Sequence, residues 1–174
     1  MKNQTIIVFT LIVFGVWGLM VWGGSRVSTS GVIARESTTS HPARIGGTLT
    51  AEEIFYDFGT ISMKNGKVNK TFKITNYTSE DIEVPSLTTS CMCTVAYVIE
   101  PDRSKKGPFG MPGHGRSVPE INEIIKAGET RSIEVVYDPN AHGPAGVGVI
   151  NRFVYLEDSN GVKLQLEIKA NVTP

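Results

Sequence analysis

The chain has 174 residues, seventeen basic and seventeen acidic, for a formal net charge of zero. With no basic run in it, the sequence lacks the electrostatic footprint that nucleic-acid binding requires, which excludes that class of partner. Its length, once the N-terminal segment is set aside, suits one domain of ordinary size.

Residues 6–22 form an uninterrupted run of apolar and small side chains behind Lys2. The run approaches the about 20 residues that cross a bilayer and exceeds the about 7–15 apolar residues of a cleaved signal peptide. Trp17 and Trp22 stand toward its far end, where indoles favour the membrane interface. Residues 1–24 are therefore expected to be a single transmembrane helix, with cleavage as a signal peptide near residues 31–34 as the alternative. Lys2 and the α-amino group hold the N-terminus inside, which places the C-terminal bulk outside the cytoplasm on a single-pass membrane anchor. Arg26 and Arg35 dilute that bias. Residues 25–50 carry Ser, Thr and Gly with few large apolar side chains. They cannot bury enough surface to offset ordering entropy and read as a flexible tether.

From 51 to 174 the apolar pattern has period two, and no long window has the helical period. In the last segment Val162, Leu164, Leu166, Ile168, Ala170 and Val172 alternate with polar residues, so one face of that strand is buried and the other is wet. Further strands are expected at 54–58, 68–75, 82–87, 94–99, 132–137 and 152–156. Turn-forming stretches such as Ala127-Gly128-Glu129 and Asp158-Ser159-Asn160-Gly161 separate them. About seven short strands punctuated by turns predict an all-β domain, an immunoglobulin-like antiparallel β-sandwich. It is interrupted by a long insertion at 100–123, whose second half is dense in Gly and Pro. Loops of that length are functional or disordered when they carry no secondary structure of their own.

Cys91 and Cys93 are the chain's two cysteines, one residue apart in Ser90-Cys91-Met92-Cys93-Thr94. Outside the cytoplasm a structural disulfide normally closes a long loop, and a Cys-x-Cys bridge closes almost nothing. In an extended segment the two side chains share a face, presenting two thiols side by side, an arrangement suited to a soft metal or to thiol exchange.

Phe55-Tyr56-Asp57-Phe58-Gly59-Thr60-Ile61, Phe72-Lys73-Ile74-Thr75-Asn76, the Cys91-Met92-Cys93 motif, Ala127-Gly128-Glu129 and Val136-Tyr137-Asp138-Pro139 together resemble the bacterial domain-of-unknown-function family 1573. The resemblance implies an immunoglobulin-like fold, commonly exported or anchored, with no established catalytic activity. The family usually has a small residue between its cysteines; Met92 stands there in this chain.

The remaining soft and imidazole donors of the domain, Met63 apart, fall in two Gly- and Pro-rich stretches: Met111 and His114 in the insertion, His142 between the expected strands at 132–137 and 152–156. Thiolate and thioether favour Cu(I), and two thiolates with imidazoles also make a zinc set. The expected site is one copper(I) ion, with zinc(II) as the alternative, held by Cys91, Cys93 and His114 and completed by Met111 or His142. Plainer roles stand beside this, among them Cys91 and Cys93 as an oxidised, strained pair or as two buried thiols. The histidines can serve as loop residues bonded to turn backbone, Met92 as a core filler and Met111 as a cap on a core edge. The sequence carries no nucleophile elbow, phosphate loop, dinucleotide fingerprint or metalloprotease motif, so no enzyme is expected. Two alternatives to metal binding remain. One is a structural or protein-interaction module of the cell envelope, using the insertion around Phe109 or the 162–172 strand as a contact surface. The other is thiol-disulfide exchange.

Overall fold

Eleven strands form in the computed structural model, which describes residues 48–113 and 120–174. They are β1 (Leu49–Ala51), β2 (Phe55–Ser62), β3 (Val68–Asn76), β4 (Ile82–Val84), β5 (Ser86–Thr89), β6 (Thr94–Ile99), β7 (Lys105–Phe109), β8 (Glu123–Ile125), β9 (Thr130–Tyr137), β10 (Gly148–Glu157) and β11 (Lys163–Thr173). A five-stranded sheet runs β1-β3-β9-β6-β7, a four-stranded sheet β2-β11-β10-β5, and β4 pairs with β8 alone. The predicted anchor and most of the tether lie outside the described residues. Among the described residues no helix is long and apolar enough to cross a membrane.

Period-two burial makes the sandwich. Leu164, Leu166, Ile168, Ala170 and Val172 of β11 are all buried, as the alternation predicts. Facing them in one hydrophobic core are Phe72 and Ile74 of β3, Ala96 and Val98 of β6, and Ile133, Val135 and Tyr137 of β9. A fully buried Leu, Ile or Phe contributes roughly 1.5–3 kcal/mol, as an upper estimate.

Four features correct the sequence expectation of about seven antiparallel strands. The 82–87 segment is two strands, broken at Pro85: β4 pairs with β8, and β5 pairs with β10 in the four-stranded sheet. The insertion contains β7, which adds to the edge of the five-stranded sheet and buries Phe109, so that ring packs in the core rather than on a contact surface. Pairing is not antiparallel throughout, because β2 lies parallel to β11. With β10 on its other side, β11 is paired along both edges from Glu167 onward, which leaves that stretch no free edge to recruit a peptide.

Two polar clusters tie the ends of strands together. Asn76, fully buried at the end of β3, donates through Nδ2 to the carbonyls of Glu80 (2.7 Å) and Ile125 (2.9 Å) and accepts the Thr78 N–H at 2.9 Å. Arg131 of β9 is 8% exposed, and its Nε donates to Glu123 of β8, 6% exposed, at 2.7 Å. The same guanidinium bonds the Glu129 carboxylate, while Lys106 of β7 reaches Glu123 at 3.4 Å. The hydrogen bond from Arg131, and then one from the Lys126 N–H, hold the Glu129 carboxyl below its ordinary range. Burial, reinforced by the Glu123 charge, pushes Glu100 up.

Candidate metal centre

Residues 90–93, which carry both cysteines, connect β5 to β6 and so pass from the four-stranded to the five-stranded sheet. Residues 138–147 connect β9 to β10 and make the passage in the other direction. Thr94, which opens β6, is paired with Tyr137, which closes β9, so the two connections run side by side at one end of the sandwich. This topology brings Cys91 against His142, 51 positions away.

The cysteine turn is held by its own polar groups. Buried Thr89 places its hydroxyl 3.0 Å from the Cys91 carbonyl and 2.9 Å from the Thr94 carbonyl, sharing one proton between them. The Thr94 N–H donates back to the Cys91 carbonyl at 3.1 Å. Ser90 locks the turn to β10: its N–H donates to the Phe153 carbonyl and its Oγ accepts the Phe153 N–H, both at 2.9 Å. From the other connection the Asp138 N–H donates to the Cys93 carbonyl at 2.9 Å.

Cys91 and Cys93 are joined by a disulfide, their Cα atoms 5.2 Å apart. Of the alternatives for the pair, this is the oxidised one, in place of two thiols side by side on an extended segment. The Thr94-to-Cys91 hydrogen bond folds the segment into a turn, which turns the two sulfurs toward each other.

The two sulfurs differ in surroundings. Cys91 is half-buried; its Sγ accepts the Cys93 N–H at 3.3 Å and lies 3.2 Å from His142 Nε2. Cys93 is 2% exposed, and its Sγ accepts Arg152 Nε–H at 3.1 Å. Arg152, on β10, is steadied by donation from Nη1 to the Asn151 carbonyl at 2.8 Å. Its charge also opposes the burial that pushes the Tyr137 phenol above its ordinary value. His142 is exposed and precedes a short 3-10 helix, Gly143–Gly146. The turn that presents it closes through the Asn140 N–H to Asp138 Oδ1 (2.9 Å) and the Gly143 N–H to the Asn140 carbonyl (3.0 Å). Gly143 sits at φ 55°, where glycine has no Cβ to strain.

Among the predicted ligands, Cys91, Cys93 and His142 converge, with donor atoms all within 4.8 Å of one another. Donors on one ion at bond lengths of about 2.0–2.3 Å sit roughly 4 Å apart, within the separation at which these three donors lie. Among the described residues the imidazole beside the sulfurs is His142, which the sequence reading held in second place. His114 lies outside the described residues. Met111 follows Gly110, whose carbonyl accepts the Thr89 N–H at 3.2 Å, so the chain just before Met111 rests against the strand leading into the cysteine turn. Met92 is 54% exposed and fills no core gap. Arg152 was not legible as a site residue, because it lies 59 positions from Cys93 with no motif of its own.

Residues 49–107 match the family described as "Protein of unknown function (DUF1573)". No curated protein matches the chain. A protein of unknown function from Porphyromonas gingivalis W83 is similar over 72% of this chain and 46% of its own, with 15% identity and a TM-score of 0.50, which shows a shared fold. The VesB protease of Vibrio cholerae is similar over 72% of this chain and 32% of its own, with 14% identity and a TM-score of 0.45. The PapD-like domain 7 of human CEP192 is similar over 78% of this chain and 96% of its own, with 12% identity and a TM-score of 0.45. The chain thus spans less than half the length of the Porphyromonas and Vibrio proteins. The stretch that matches the DUF1573 family model, residues 49–107, includes the cysteine turn.

Proposed function

We propose that the chain is a membrane-anchored, extracytoplasmic module of the cell envelope, immunoglobulin-like in fold and non-enzymatic, that binds one soft metal ion when its cysteines are reduced. Residues 1–24 supply the single-pass anchor and residues 48–174 the binding domain. The observation that carries the reading is the convergence of Cys91, Cys93 and His142 on two adjacent sheet-to-sheet connections. Thiolate sulfur selects soft ions, and imidazole suits both copper and zinc. Charge favours copper. Two thiolates with Cu(I) carry a net negative charge that the Arg152 guanidinium, 3.1 Å from Cys93 Sγ, complements. Two thiolates with Zn(II) are neutral and gain less from that cation. Met111 and His114 are the candidates for a further donor.

The test is titration of the reduced protein with Cu(I), and separately with Zn(II), against a chromophoric chelator. One Cu(I) per chain is expected, lost in Cys91→Ser and in Cys93→Ser and weakened in His142→Ala. Absence of binding by the reduced, folded protein rejects the reading and leaves an envelope interaction module or a thiol-disulfide exchange protein.

A further inference from the structure

The disulfide and the proposed metal site use the same two sulfurs, so the site can hold an ion only after a two-electron reduction. The two sulfurs are not equivalent toward an incoming thiolate. Cys91 is half-buried at the surface of the turn, whereas Cys93 is 2% exposed. A nucleophile must approach the sulfur it attacks, and the other sulfur leaves with the electron pair. At Cys93 the departing charge is met by Arg152 Nε–H at 3.1 Å. Hydrogen bonds with an ionised partner are roughly twice as strong as neutral ones.

We propose that the Cys91–Cys93 disulfide is the closed state of the site and that a reduced dithiol opens it by attacking Cys91, with Arg152 receiving the displaced Cys93 thiolate. What the opened site then holds rests on the metal reading above. In the first step a thiolate of the dithiol bonds to Cys91 Sγ, the Cys91–Cys93 bond breaks, and its electron pair stays on Cys93. In the second step the dithiol's other thiolate attacks its own sulfur in the mixed disulfide and releases Cys91 as a thiolate. The dithiol is oxidised to a disulfide and the protein gains two thiolates, which balances both electrons. Arg152 is a positioning residue in this scheme, since it touches the leaving sulfur and not the nucleophile.

Regiochemistry tests the proposal without any variant. The oxidised protein is exposed briefly to the monothiol glutathione, quenched in acid, alkylated with iodoacetamide and mapped by mass spectrometry. Glutathione is expected on Cys91 and the alkyl group on Cys93; glutathione on Cys93, or shared equally, overturns the proposal. Reduction by dithiothreitol is then timed in Arg152→Gln and Arg152→Lys. A loss of about tenfold in the glutamine variant, the scale of one hydrogen bond to a charged group, with partial recovery in the lysine variant, supports the positioning role. Equal rates in all three proteins refute it. The metal reading is scored separately, on chemically reduced protein. Attack at Cys91 with no Cu(I) bound sinks that reading alone, and Cu(I) binding with attack at Cys93 sinks the gate alone.

Discussion

Replacing Arg131 by methionine keeps the length and much of the apolar stem of the side chain while removing its charge from beside the buried Glu123 carboxylate. Glu123 then keeps only Lys106, 3.4 Å away on a side chain that is 39% exposed, as a cation at its carboxylate. Removing one partner of a buried ion pair typically costs about 3–5 kcal/mol, chiefly because the other charge stays buried without compensation. The surviving Lys106 contact places the expected loss near the lower end, about 3 kcal/mol. Glu129 is more exposed than Glu123, and loss of its pair adds little. For a domain of this size the loss lowers Tm by roughly 12 °C, at about 4 °C per kcal/mol. The assay is urea unfolding followed by far-UV circular dichroism, with an unchanged m-value confirming that the native and denatured states are otherwise comparable. The second arm neutralises the stranded acid: Arg131→Met with Glu123→Gln is expected to recover more than half of the loss. A cost below about 1 kcal/mol in the single variant, or no recovery in the double, would show that the cluster does not behave as a buried pair.

Asn76→Ala leaves the Ile125 carbonyl, inside the fold, without its 2.9 Å donor, and is expected to cost about 2–3 kcal/mol by the same urea assay. Glu129 predicts an acid dependence. Its folded carboxyl is held below the ordinary value of 4.5, so its contribution is present above that pH and is lost as pH falls through the lower folded value. The gap in urea midpoint between wild type and Glu129→Gln should therefore shrink on going from neutral pH to about pH 3. A gap that widens reverses the sign. Cys91→Ser combined with Cys93→Ser opens a ring that spans one intervening residue, and loop-closure entropy assigns so short a loop only about 1–2 kcal/mol. The doubly substituted protein should keep its far-UV spectrum; wholesale unfolding would make the bond a structural staple.

The pattern of β11 was legible because alternation along Leu164, Leu166, Ile168, Ala170 and Val172 needs no knowledge of neighbouring strands. The turns at Gly128 and Gly161 were legible for the same local reason, and both glycines adopt positive φ. β8 was not, because its buried Glu123 inverts the expected pattern and is tolerated only through Arg131, a residue on another strand. β7 was hidden by Lys105 and Lys106, whose ammonium groups are satisfied by Glu134 and Glu123. The cysteines were singled out by spacing alone, and their partners are matters of topology. His142 stood behind His114 in the sequence reading, and only the crossing of β9 to β10 puts it beside Cys91. Arg152 had no claim at all, since an arginine in a strand that alternates toward solvent looks like an ordinary surface charge.

The parallel seam between β2 and β11 joins Phe55 to Glu167, and β2 has no other partner strand among the described residues. A ribosome delivers β2 more than a hundred residues before the strand that completes it, so this edge stays unzipped through most of synthesis. Contacts so distant along the chain slow folding, because loop closure must precede their reward. Nascent chains stalled before residue 163 should accordingly leave the 55–62 segment open to protease, and a shift to protection should come only as the final strand emerges.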